Sequence, residues 1–143
     1  MIVALRALSF YPELMDVKIE FKFKNNIRKS VMQAQPKFST MLRSGRKRTY
    51  IVKISRWFSL VGKRIYLHEL PEKVLIGWLG HELGHVMDYL RKDAWSMTLF
   101  GIGYISSKNF IMSTERLADT YAVNHGLGDY ILATKKFILN QAG

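Results

Sequence analysis

The sequence predicts an α+β protein in which strands come first and helices follow. The period of its apolar residues changes along the chain, from alternation with charged residues at 16–24 to helical spacing at 71–91. A run of strands followed by a run of helices is typical of the α+β class. The chain has 143 residues, 48% of them apolar, which is enough for one core and predicts a single domain over residues 1–143.

Four strands are predicted, over residues 16–24, 29–36, 49–55 and 62–67. Residues 16–24 alternate apolar and charged side chains with the period of two that indicates a half-buried strand. The second strand is predicted to end at Pro36. The third is rich in β-branched and aromatic residues, which favour strands.

Three helices are predicted after the strands, over residues 71–91, 108–125 and 130–141. Pro71 suits the first position of the first helix. Gly126 is expected to end the second helix, and Asp129 to cap the N-terminus of the third. Residues 94–106, which contain aromatic residues and glycine, are left without an assignment.

The formal net charge of +11 comes from one part of the chain. Residues 22–64 contain 13 Lys and Arg and no acidic residue, whereas acidic residues slightly outnumber basic ones on either side. We expect weak polyanion binding through residues 22–64, with nucleic acid, anionic lipid or acidic substrates as partners. The alternative is a set of lysines on solvent-facing strands with no specific ligand.

No segment has the roughly 20 apolar residues that a transmembrane helix needs. The longest apolar stretch, residues 94–106, is too short, and the N-terminus lacks the charged leader and cleavage site of a signal peptide. We therefore expect a cytoplasmic protein with no transmembrane segment. Peripheral membrane contact through residues 94–106 and the basic segment is an alternative.

The chemistry of the sequence centres on the motif His-Glu-Leu-Gly-His at residues 81–85, within the first predicted helix. Four residues turn a helix by about 400°, so His81 and His85 lie one above the other and can share one metal ion. Glu82 lies about 100° round from His81, where it can reach a water at that ion. With no cysteine in the chain, any metal must use His, Asp or Glu.

A third metal ligand is expected on the next helix, where Glu115 and Asp119 lie one turn apart. Two histidines and one glutamate leave the fourth position of a zinc ion open for water, which is typical of a catalytic site. Asp119 is expected to accept the remaining ring N–H of a ligand histidine. The alternative is that both carboxylates lie on a solvated helix face.

The HELGH motif followed by ExxxD on a later helix resembles the gluzincin metallopeptidases, specifically over about residues 70–126. The short chain with its strand-rich first half is most similar to the single-domain mini-gluzincins. The resemblance implies a zincin-like fold, in which a small, mostly antiparallel sheet packs on the HExxH helix and on a second ligand helix. It also implies an edge strand beside the cleft, for which Tyr50–Ser55 is expected to serve.

The resemblance also implies a role for each site residue. His81, His85 and Glu115 become the zinc ligands, Glu82 the general base, and Asp119 the partner of a ligand histidine. Thermolysin-like gluzincins have an Asn directly before the ligand Glu, where this chain has Thr114, so it is open whether Thr114 orients the other histidine.

We therefore predict a zinc-dependent metalloendopeptidase that acts on peptide or protein substrates. His125 and Tyr121 are candidate oxyanion donors, with Tyr104 as another, although His125 would also be favoured simply by the helix C-terminus nearby. The last helix either completes the core or, as in some similar zymogens, blocks the cleft. The alternative function is a metal-containing regulatory or nucleic-acid-associated binding protein with restricted or vestigial protease activity.

Overall fold

A computed structural model describes residues 2–28 and 30–142. Its strands are β1 (Lys18–Lys24), β2 (Met32–Pro36), β3 (Thr49–Ser55), β4 (Trp57–Leu60) and β5 (Lys63–Tyr66). Its α-helices are α1 (Ile2–Leu8), α2 (Glu72–Leu90), α3 (Ala94–Ser106), α4 (Lys108–Ala122) and α5 (Gly128–Ala142). The predicted α+β class is confirmed. The sequence did not predict α1 or β4, and Lys29, the first residue of the predicted second strand, lies outside the described residues.

The main sheet is mixed rather than mostly antiparallel. Its strand order is β1–β3–β2, with β1 parallel to β3 and β2 antiparallel to it. The strands β4 and β5 form a separate antiparallel hairpin. The parallel pairing arises because the chain passes from β1 at one edge of the sheet to β2 at the other edge, and then returns along β3 between them.

Strand β3 lies at the centre of the sheet, so the expectation that Tyr50–Ser55 forms the edge beside the cleft is wrong. Six of its seven residues are buried, which suits a strand with neighbours on both sides and explains its continuous apolar sequence. The edge strand on the cleft side is β2. Val31 and Lys37 hydrogen-bond to β3, so the antiparallel ladder turns the backbone groups of Ala34 toward the open side.

Helix α2 is the central element of the fold and contacts β2, α1, α4 and α5. Leu83 and Val86 are fully buried in the core that α2 shares with the sheet. Pro71 is the residue just before the helix rather than its first residue. The hydroxyl of Tyr11 donates a hydrogen bond to the Gly80 carbonyl oxygen at 2.6 Å, which fastens the N-terminal segment beside His81.

Helices α2 and α4 approach closely at Gly84. A Cβ atom at this position would lie 2.3 Å from the backbone oxygen of Ala118, which is far inside van der Waals contact. Small residues at both positions therefore bring His81 and His85 of α2 within reach of Glu115 on α4. This contact is the reason for a glycine inside the motif.

Gly84→Ala is expected to destabilise the fold. Alanine would gain about 1 kcal/mol of helix propensity, but overpacking costs about 1–3 kcal/mol, at the upper end when the obstacle is backbone. Gly101→Ala in α3 is the matched control, because a Cβ there meets no atom within 4 Å. Urea unfolding of both variants tests this, and equal or greater stability of Gly84→Ala would contradict the close approach.

Helix α4 leads into α5 through a turn at Val123–Leu127, in which Gly126 takes a φ of 90°. Gly126 therefore ends the regular helix in the left-handed conformation expected of it. Asp129 is not the N-cap of the last helix, because α5 already begins at Gly128 as the chain continues from this turn.

Helix α5 packs on α2. The Thr134 hydroxyl donates to the Val74 carbonyl oxygen at 2.9 Å, and Ile131 and Thr134 are both buried. These contacts agree with the alternative in which the last helix completes the core. Among the described residues, no helix is long and apolar enough to cross a membrane.

Candidate metal centre

Three donor side chains from two helices meet at the centre of a cleft. His81, His85 and Glu115 each offer one ligand atom, and these atoms lie within 4.8 Å of one another. The Nε2 atoms of His81 and His85 lie 2.7 and 3.4 Å from the same Glu115 carboxylate oxygen. The spacing of the histidines on α2 and the close approach of α4 together produce this convergence.

The donor set fits a zinc ion. Donors at roughly 2.0–2.2 Å from a tetrahedral ion lie about 3.4 Å apart, the distance observed between His85 and Glu115. His81 and Glu115 are closer, at hydrogen-bond distance, because both ring nitrogens of His81 face a carboxylate. Two imidazoles and one carboxylate form a set that zinc prefers, and the part of the chain that the structure describes adds no fourth donor to the cluster.

The second ring nitrogen of His81 begins a series of side-chain contacts that extends through Asp119 to Lys135 on α5. The Nδ1 atom of His81 lies 2.7 Å from Asp119, and the Nζ atom of Lys135 lies 2.9 Å from the other oxygen of the same carboxylate. Burial alone would lower the pKa of His81, but hydrogen bonds to Asp119 and Glu115 outweigh it and raise this pKa to about 10. The contacts with Asp119 and Glu115 thereby fix the orientation of the His81 ring.

The two carboxylates around His81 remain ionised for the same reason. Burial raises the pKa of Glu115, but hydrogen bonds from His81 and His85 hold it well below its usual range. Burial also raises the pKa of Asp119, but hydrogen bonds from His81 and Lys135 outweigh burial and lower this pKa below its usual value. Protonated His81 and Lys135 balance the charges of these two carboxylates, so a divalent cation would bind with loss of the His81 proton.

His85 is held by packing. Its ring is buried and stacks on Tyr89, with ring centroids 6.1 Å apart. Its Nδ1 atom is buried and has no hydrogen-bond partner among the described residues. The Thr114 hydroxyl, which was considered as a partner, instead donates to the Phe110 carbonyl oxygen in its own helix at 2.9 Å.

Glu82 lies beside the donors but does not belong to their cluster. It is buried, and its Oε2 atom accepts a hydrogen bond from the backbone N–H of Ala34 on β2 at 2.8 Å. Burial raises the pKa of this carboxyl, against the opposing charges of His85 and His81. A carboxyl of raised pKa beside a metal centre is suited to exchanging protons.

The centre opens into a cleft of about 1220 Å³. Its floor is α2 from Trp78 to Tyr89, and one wall is the open edge of β2. The opposite wall is α3, which contributes Met97, Phe100 and Tyr104 among others. This is larger than the roughly 300–1,000 Å³ of typical small-molecule pockets.

The chain matches no family model, no curated protein and no solved structure.

The candidate oxyanion donors lie in different places. His125 is bound elsewhere, with its two ring nitrogens 2.6 Å from Glu13 and from the Tyr121 carbonyl oxygen. The ring of Tyr121 lies beneath the guanidinium of Arg91. Of the three candidates, Tyr104 is the one whose side chain lines the cleft among the described residues.

Sequence reasoning missed three groups at this site. Tyr89 could have been found, because it follows His85 by four residues and therefore shares its helix face. Lys135 and the N–H of Ala34 carry no local signal, since one lies on another helix and the other is a backbone group.

Proposed function

We propose that this protein is a zinc-dependent metalloendopeptidase of gluzincin type. The observation that carries the proposal is the position of Glu82, buried against the His81–His85–Glu115 cluster without being one of its donors. A purely structural metal site has no use for an additional carboxyl in that position. When bound, zinc would supply a Lewis acid that polarises a carbonyl and lowers the pKa of water.

The residues of the chain then perform the proton transfers. Glu82 takes the proton of the attacking water and delivers it to the departing amine, so its raised pKa suits both steps. The N–H of Ala34 holds Oε2 in place, which orients the carboxyl toward the cleft. Asp119 and Lys135 keep the His81 ring fixed throughout.

The open edge of β2 is suited to an extended peptide. Backbone groups of Met32, Ala34 and Pro36 face away from β3, along the wall of the cleft. Both backbone groups of Ala34 already have partners, since its N–H donates to Glu82 and its carbonyl oxygen accepts from the Tyr89 hydroxyl at 3.4 Å, so a peptide would pair with the backbone groups of Met32 and Pro36. Strand addition gives affinity with little demand on side chains, so the substrate class is an unfolded or extended polypeptide.

The proposal is tested by removing and restoring the metal. Chelator-treated protein is expected to be inactive on fluorescently labelled casein, and stoichiometric zinc is expected to restore hydrolysis. Magnesium is the control, because it prefers oxygen ligands and should not bind this set. A folded protein that takes up one zinc per chain yet cleaves nothing would favour a metal-containing binding protein, and one that binds no zinc would refute the proposal.

A second candidate function, polyanion binding, rests on the outer face of the sheet. Lys22 and Lys53 are neighbours in register, and Lys18 and Lys24 project from the same face of β1. The acid on this face, Glu20, is shared between Lys22 and Lys37 at 3.7 and 3.5 Å. A row of lysines with one acid attracts polyanions without reading sequence.

Binding to heparin or to RNA is expected to weaken steeply as salt rises. Replacing Lys18, Lys22 and Lys53 by Gln should lower both the affinity and the slope of its salt dependence, by about one charge per lysine that contacts a phosphate. Lys136→Gln, on α5, is the control. Retention that does not depend on salt, or on these lysines, would contradict an electrostatic sheet face.

A further inference from the structure

The outer face of α3 is apolar although it is exposed. Residues 94–106 contain no charged side chain, and Trp95, Leu99, Ile102 and Ile105 are 70, 50, 55 and 86% exposed. At 100° per residue these four lie within an arc of about 120° on one side of the helix. An exposed helix of an ordinary globular protein has charged residues on this side.

A second exposed apolar group lies across the same end of the cleft. The turn at residues 38–42 presents Phe38 and Leu42, which are 86 and 82% exposed, while Met41 between them lines the cleft. The buried guanidinium of Arg48 donates to the carbonyl oxygens of both Met41 and Tyr89, so it fixes this turn beside the C-terminal end of α2.

Helix α3 lies beside that same end of α2. The rings of Phe100 and Tyr89 are 5.4 Å apart in an edge-to-face contact. The turn and the helix thus form the two sides of the cleft at Tyr89. Their exposed side chains are here called the apolar rim, which consists of Phe38, Leu42, Trp95, Leu99, Ile102 and Ile105.

Basic residues flank, along the chain, the two segments that form the apolar rim. Arg43 directly follows Leu42, Arg91 precedes α3 and Lys108 follows it, and all three are exposed. The nearby acids are engaged: Asp88 pairs with Lys92, and the Asp93 carboxylate accepts the N–H of Ser96 as the N-cap of α3. Exposed apolar side chains can enter the acyl region of a membrane, and the cations beside them can pair with anionic lipid headgroups.

We infer that the apolar rim docks on an anionic lipid bilayer, with the Tyr89 end of the cleft facing the membrane. A second copy of the chain fits this surface less well. A symmetric contact between two rims would bring the same cations together, in a protein whose net charge is +11. The inference concerns binding to lipid and stands whether or not the chain is a peptidase.

The test is flotation of the full chain with vesicles of phosphatidylcholine containing about 30% phosphatidylglycerol, at about 0.15 M salt. The rim variant is Leu99→Ser/Ile105→Ser. The matched control is Leu132→Ser/Leu139→Ser on α5, which removes two side chains of similar exposure, 50 and 69%. Circular dichroism monitors folding, and the single change Ile105→Ser, at an 86% exposed position, replaces the rim variant if the latter unfolds.

The wild-type chain and the control are expected to float with the anionic vesicles. The rim variant should show a partition coefficient lower by at least about tenfold, since each leucine or isoleucine loses its burial in lipid. Failure of the wild-type chain to float would overturn the inference. Equal flotation of the rim variant would also overturn it, and would assign the attraction to the lysines of the sheet. The inference would likewise fail if the wild-type chain were a dimer and the rim variant a monomer.

Discussion

Glu82→Gln is expected to lower the rate of peptide hydrolysis by at least about 10²–10⁴-fold while zinc remains bound. The amide has nearly the same shape as the carboxyl, and its oxygen can still accept the N–H of Ala34. It cannot take a proton from water or return one to the leaving amine. The change therefore removes the proton transfer and leaves the metal centre intact.

Glu72→Gln is the matched control, because Glu72 lies on the same helix but is exposed and pairs with Arg6. It should retain the activity of the wild-type chain. Metal analysis and hydrolysis of labelled casein are measured on both variants. Loss of zinc from Glu82→Gln would make Glu82 a ligand, and full activity would show that another group is the base.

Glu115→Ala is expected to weaken zinc binding by at least about 100-fold. Loss of a residue that only hydrogen-bonds to a metal ligand typically lowers metal affinity by about 10–100-fold, and loss of a proposed ligand should lower it more. Glu115 is the donor common to both histidine contacts, so its removal leaves two imidazoles on one helix. Its side chain is 43% exposed, so truncation opens no cavity in the core.

Competition with a chelator measures the affinity of the variant. Arg116→Ala is the control, since Arg116 is the next residue on α4 and is exposed. Circular dichroism should show both variants folded. Zinc bound to Glu115→Ala as tightly as to the wild-type chain would show that the ligand set is wrong, whatever the activity.

The sequence predicted the elements whose signals are local. Alternation and β-branched residues indicated the strands at 18–24 and at 49–55, the latter at its observed bounds. Helical period placed α2 within one residue at each end, and with it His81 and His85 one helical turn apart on the same face. Such patterns depend on neighbours along the chain, so one sequence contains them.

The order of the strands could not be predicted in this way. Strand β3 has the apolar sequence of a central strand. The resemblance to gluzincins implied an edge position instead, because β3 precedes the HExxH helix by two segments. Which strand borders the cleft depends on a parallel pairing between residues about 30 positions apart, such as Phe21 and Val52. Residues 94–106 show the same limit, because an apolar stretch has no period from which to distinguish core from exposed helix.

The sequence by itself identified the residues of the candidate centre, because the proposed metal ligands and acid-base group require particular side chains at helical spacing. Only the tertiary structure decided what surrounds them. The N–H of Ala34 on Glu82, the Lys135 contact that holds Asp119, and the pairing of His125 with Glu13 join residues 48, 16 and 112 positions apart. These contacts arise from the packing of α2 against β2, of α4 against α5, and of the turn after α4 against the N-terminal segment, which no local pattern encodes.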